Sequence, residues 1–162
     1  MSTTVEQRIP PLVAGDKLTR AEFLRRWEAD PEIKNAELIG GIVYMASPVS
    51  AEHGDTEFDV GTWLGTYKAA SPGTSAGHNT TSFILDDTPQ PDLHLRIRPE
   101  YGGSSWVERR YLQGVPEFLT EICGSSVSYD LGAIEAKINL HVPPGRRGSL
   151  LRFTEFKRRF LW

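Results

Sequence analysis

The chain has 162 residues, 39% hydrophobic and 24% charged, with a formal net charge of −3 at pH 7. Those values exclude wholesale disorder, and the acidic balance excludes a generic nucleic-acid coating protein, which would be basic. The single cysteine, Cys123, excludes an intramolecular disulfide and a Cys-based zinc cluster.

The opening string "MSTTVEQRIPPL" lacks the basic start and apolar run of a secretion signal. Residues 1–16 therefore read as a flexible leader, and residues 17–162 as a single domain with one core. No run approaches the 18 apolar residues of a membrane span, which points to a cytoplasmic protein without a membrane partner. "KLTRAEFLRRWEAD" predicts a first helix, with Thr19 as its cap, Glu22 completing a capping box, and Phe23, Leu24 and Trp27 on the apolar face. "NAELIGGIVYMASP" predicts two strands turning at Gly40-Gly41, because glycine reaches positive φ without penalty. "SAEHGDTEFDVGTWLGTYKAA" predicts a second helix, in which His53, Val60, Leu64 and Tyr67 recur near helical spacing.

"SPGTSAGHNTT" reads as loop with one short strand. "SFILDD" and "DLHLRIRP" read as a pair of strands joined by a Pro-rich turn, and "EYGGSSWVERRYLQG" as a long loop. "VPEFLTEIC" is a further strand, with Phe118, Thr120 and Ile122 alternating against Leu119 and Glu121. "SYDLGAIEAKINLHV" reads as a third helix and "SLLRFTEFKRRFLW" as one or two closing strands. The order of helices and strands predicts an α/β (α+β) fold, a mixed sheet with flanking helices. Residues 141–162 carry six Lys or Arg and one acid, a net +5, which leaves −8 for residues 1–140. An acidic body with a basic tail suits metal-dependent work on a polyanion. It also suits a merely solvated basic edge.

The carboxylates bear on the first of these. Asp92 opens one predicted strand behind Pro91, and Glu121 lies near the end of the next. Neighbouring strands could bring both to one sheet edge. Magnesium takes one or two such carboxylates plus water and phosphate oxygens. A surface aspartate and a salt-bridged glutamate would read the same way. If Leu93 and Leu95 face the core, Asp92 faces the other way with His94. Lys137, on the third helix, is a candidate to hold water or a phosphate oxygen, or is simply exposed. Glu37 could be a further ligand or a hairpin pair. His53, His78 and His94 form no i, i+4 pair and read as structural or surface groups, and Cys123 as a small core residue. No nucleophile elbow, phosphate loop of Walker type or dinucleotide fingerprint is present.

Taken together, "AELIGGIVYMASPVSAEHG", "AGHNTTSFILDDTPQPDLHLRIRPEYGG" and "YLQGVPEFLTEICGSSVSYDLGAIEAK" resemble, in order and spacing, the Uma family of restriction endonucleases, a branch of the PD-(D/E)xK superfamily. The resemblance covers about residues 17–140. It implies a restriction endonuclease-like core and a Mg²⁺ (or Mn²⁺) site that hydrolyses DNA phosphodiester bonds. By the same likeness Pro91-Asp92 is the "PD", Glu121 the acid of the following strand, and Asp92 with Glu121 the metal ligands. Lys137 stands in for the superfamily lysine, whose usual position is Cys123. Glu37 matches the early glutamate of "ELIDGE", where this chain has Ile42 in place of the second acid. His53 matches the family's "EH".

The family's usual C-terminal pattern is absent from about residue 141. DNA is the implied partner, with Arg146, Arg147, Lys157 and Arg158 as candidate contacts and a homodimer as the analogue of a two-strand cutter. The alternative is a catalytically impaired member that binds nucleic acid or protein. A third reading is a small-molecule hydrolase using the same metal, since no base-reading element is visible.

Overall fold

Thr19 starts the first helix, α1 (Arg20–Glu28), by accepting the Glu22 N–H on its hydroxyl at 3.3 Å. The computed structural model describes residues 8–122 and the backbone of residues 149–152. Glu22 does not complete the expected capping box with its side chain. Its carboxylate is taken instead by Arg25 and Arg26, each at 2.7 Å, and the Arg25 bond first, then Arg26, lowers its pKa to about 2. Charge-assisted bonds to two guanidiniums outcompete one neutral backbone N–H.

α1 buries Phe23 completely, with Leu12, Ala36, Leu38 and Val43. Truncating such a side chain to alanine costs about 3–5 kcal/mol. Leu12 is 5% exposed and the Gly15 N–H donates to Val43 O at 2.8 Å, so the later part of the expected leader is docked on the hairpin.

That hairpin is β1 (Ala36–Ile39) and β2 (Ile42–Met45), paired antiparallel with Ile39 opposite Ile42. Gly40 and Gly41 sit at φ +59° and +76°, the twist-matched two-residue turn expected from the sequence. The long helix α2 (Ala51–Ala70) follows, capped by the Ser50 hydroxyl, which accepts the His53 N–H at 3.2 Å. Its buried residues are Val60 and Leu64. Tyr67 is half exposed and turns instead toward Trp63, with ring centroids 6.4 Å apart.

α2 covers one face of a four-stranded mixed sheet ordered β3 (Thr74–His78), β5 (Leu93–Ile97), β8 (Phe118–Glu121), β9 (Ser149–Arg152). The first three strands pair antiparallel with one another, and β9 runs parallel to β8. Leu93 and Leu95 oppose Thr120 and Phe118, and Leu93, Ile122, Val60 and Leu64 form this second core.

Two expectations are corrected. Residues 82–87 do not pair with β5, because the β5 ladder is already filled by β3 and β8. The short β4 (Ser82–Phe83) pairs instead with β7 (Tyr111–Gln113), in parallel. The expected long loop holds a short helix (Pro99–Tyr101) and a hairpin of β6 (Trp106–Glu108) and β7. Residues 87–90 run between β1 and β4. Leu38 and Thr88 exchange both backbone bonds, and Ser82 N donates to Pro89 O at 2.9 Å. Among the described residues no helix is long and apolar enough to cross a membrane.

Candidate active site

Asp92 stands just ahead of β5, where the prolyl turn ends. Continuing the antiparallel register of Leu93 with Thr120 by one residue sets Asp92 opposite Glu121. Such partners have Cα atoms about 4.5–5.5 Å apart. A side-chain bond fixes the alignment: Asp92 Oδ2 accepts the Ile122 N–H at 2.6 Å. The carboxylate ties the mouth of β5 to the end of β8, beside Glu121.

Leu93 and Leu95 do pack on α2. Asp92 is not simply turned to the opposite face, however, because it precedes the strand and escapes its alternation. Its Oδ1 lies 3.5 Å from His53 Nε2, in the first turn of α2. The carboxylate therefore sits at the end of the sheet, 15% exposed.

The turn that presents it is fastened on both sides. Glu37, on β1, accepts the Gln90 N–H on Oε1, two residues before Asp92. Gln90 Nε2 donates to the Thr81 hydroxyl at 2.6 Å, and Asn79 N to Asp92 O at 3.1 Å. One turn below, Asp87 Oδ1 accepts the Gly40 N–H at 2.9 Å. Glu37 is thus brought to the Pro91-Asp92 turn by the same β1 contact that aligns Leu38 with Thr88. Its described role is to hold the backbone of that turn.

The histidines separate. His53 is 20% exposed and beside Asp92. His78 is 72% exposed, with Nδ1 3.5 Å from Glu57. His94 is buried on the central strand opposite Gly77, where a Cβ would come within 2.6 Å of its Cε1. Burial, then the charges of Arg96 and His78, pushes the His94 pKa down to about 4, and its Nδ1 has no hydrogen-bond partner. A neutral ring is the form that avoids an uncompensated buried charge.

Lys137, Cys123, Arg146, Arg147, Lys157 and Arg158 lie outside the described residues. Among the described residues no group of three or more His, Cys, Asp or Glu is disposed to hold an ion. What the arrangement offers is hard oxygen donors at one end of a sheet, with Asp92 steadied by the Ile122 N–H and His53, and Glu37 by the Gln90 N–H. Read from the residues alone, His53 is a structural or surface group, and its one sequence signal is the match to the family's "EH". The Ser50 cap fixes where α2 begins, and the docking of α2 brings His53 to Asp92.

A family model described as "Uma2: Putative restriction endonuclease" matches residues 20–146. Among solved structures, the chain is similar to a "putative nuclease belonging to DUF820" from Anabaena variabilis. That match has a TM-score of 0.54 and 17% sequence identity, and covers 74% of this chain and 67% of that one. The identity is low, and the likeness is one of fold. No curated protein is matched.

Proposed function

The chain belongs to the Uma2 family, and from that premise we propose that it is a divalent-metal-dependent endonuclease that hydrolyses DNA phosphodiester bonds. The observation that supports this most is the 2.6 Å bond from Ile122 N to Asp92, which sets Asp92 level with Glu121 at one end of the sheet. Asp92 and Glu121 would hold the ion. Two carboxylates fit magnesium, whose remaining positions go to water and substrate oxygens. A bound divalent ion supplies an electrophile for the phosphoryl oxygen and an acidified water.

The chain's own residues do the rest. His53 and the Ile122 N–H orient Asp92. Glu37, by holding Gln90 N, keeps the Pro91-Asp92 turn from drifting. Lys137 is assigned to the phosphoryl oxygens or the attacking water, where a fixed cation stabilises developing charge. Arg146, Arg147, Lys157 and Arg158 are assigned to the phosphate backbone, which positions a duplex without reading its sequence. A cytoplasmic location and a pair of copies for cutting both strands go with this reading.

The test uses the full chain, plasmid DNA and Mg²⁺ or Mn²⁺. Cleavage should need the ion, and Asp92→Asn should abolish it while the far-ultraviolet circular dichroism is kept. Calorimetric titration should lose the ion-binding heat in the same variant. Undiminished cleavage by a pure Asp92→Asn preparation would remove Asp92 from the chemistry. One observation favours a binding module instead: Ile42 replaces the second family acid, as a strand residue opposite Ile39. DNA binding without cleavage under any divalent ion would select that reading.

A further inference from the structure

The β6–β7 hairpin turns on Arg109 and Arg110, at φ +47° and +81°, between Glu108 and its partner Tyr111. Two successive left-handed residues are what a twist-matched hairpin turn requires, and Asn-Gly is the pair that meets it cheaply. A residue with a side chain is strained at each position, because its Cβ crowds the following carbonyl oxygen. Backbone strain of this kind clusters where function over-determines the conformation.

These two arginines differ from Arg20, Arg25, Arg26, Arg96 and Arg98. Arg25 and Arg26 are held by Glu22, Arg98 lies 3.4 Å from Glu100, and Arg20 and Arg96 donate to the carbonyls of Leu85 and Ser105. Arg109 and Arg110 are exposed and, among the described residues, engage no carboxylate or carbonyl. Glu108, the acid beside them, is turned back to accept the Trp106 indole N–H at 3.4 Å. Trp106 and Val107 are 47% and 59% exposed.

Strand register places this turn near Asp92. β7 runs parallel to β4 with Leu112 opposite Ser82. Two residues back, Arg110 comes level with Thr80. On the other side of that segment, Ser82 N bonds Pro89 O and Asn79 N bonds Asp92 O. Stepping back along β7 therefore moves toward Asp92 and not away from it. Counting two strand spacings from the turn across the Asn79–Ser82 segment to Asp92 gives about 10 Å. An extended arginine would cross most of that gap.

We propose that the Arg109-Arg110 turn is an arm that grips the phosphate backbone of duplex DNA beside the bond presented to Asp92. This rests on the nuclease reading above. The two guanidiniums supply the sequence-independent attraction that the acidic body otherwise lacks.

The experiment replaces the strained pair by the residues the turn prefers, Arg109→Asn with Arg110→Gly, in the full chain. It reads melting temperature, and binding to a labelled duplex in EDTA across a salt series. The double variant should melt higher. It should bind duplex roughly fifty-fold more weakly near 0.1 M salt, with the slope of log K against log salt flattened by about 1.8 for two lost phosphate contacts. Unchanged affinity and slope, with the parent chain binding DNA and cleaving it in Mg²⁺, would overturn the arm and leave the nuclease reading standing. A loss confined to single-stranded DNA would overturn the duplex assignment. A parent chain that neither binds nor cleaves DNA would overturn both.

Discussion

Two hairpins in this molecule make the same kind of turn from opposite chemistry. Between β1 and β2 the turn residues are Gly40 and Gly41, at φ +59° and +76°. Between β6 and β7 they are Arg109 and Arg110, at φ +47° and +81°. The first hairpin belongs to the core: Leu38 and Val43 pack on Phe23, and Gly41 O accepts the Leu18 N–H at 2.8 Å. The second holds Trp106, Val107 and two unengaged guanidiniums in solvent. Where a turn carries the fold, residues that reach positive φ freely occupy it. Where it displays charge to solvent, the strain is tolerated.

Putting arginines into the first turn should have the largest effect on stability. Gly40→Arg with Gly41→Arg should lose about 2–4 kcal/mol in urea unfolding. Part of that comes from a Cβ at position 41, which would stand 3.3 Å from Leu18 O. A loss no larger than a few tenths would mean that turn conformation does not govern this hairpin.

Acid provides a second probe, independent of both turns. Folded His94 resists protonation until about pH 4, while the ordinary histidine value is 6.5. The unfolded chain therefore binds the proton first. Stability is present in full above about pH 6.5 and is lost as pH falls toward 4, by about 3 kcal/mol at most. Both turn variants should show this loss unchanged, and His94→Gln should flatten it. A urea midpoint independent of pH in that window would count against a neutral buried ring.

The smallest effect should come from relieving the second turn. Arg109→Asn with Arg110→Gly should raise stability by about 1 kcal/mol, since glycine's greater unfolded-state entropy offsets part of the strain removed. Destabilisation would mean that the arginines hold the hairpin together.

The two cores explain which parts of the fold were readable. α1 and the β1–β2 hairpin are local: cap, apolar stripe and Gly-Gly turn lie within about thirty residues, and each was legible in order. β6 and β7 were equally local, yet their turn lacks the glycine or asparagine that marks a hairpin, so they read as loop. The pairing of residues 82–87 was misread for a different reason. Alternation reveals a strand but not its neighbour, and β4 found its partner nearly thirty residues downstream in β7. At the site, Asp92 stood out behind its proline. His53 did not, because its significance depends on where α2 docks.

By itself the sequence determined the kinds of elements, the tight glycine turn, the acid at the mouth of a strand and the likeness to the Uma family. The first three are properties of short windows, set by steric limits on φ and by the spacing of apolar side chains, and the likeness rests on the order and spacing of segments along the chain. Only the tertiary structure decided that Asp92 meets the end of β8, that Glu37 grips the turn before it, and that Arg109 and Arg110 turn a hairpin at positive φ. Such neighbours are fixed by register, and register follows from how Leu93, Ile122, Val60 and Leu64 fill one core. No window of sequence contains that packing.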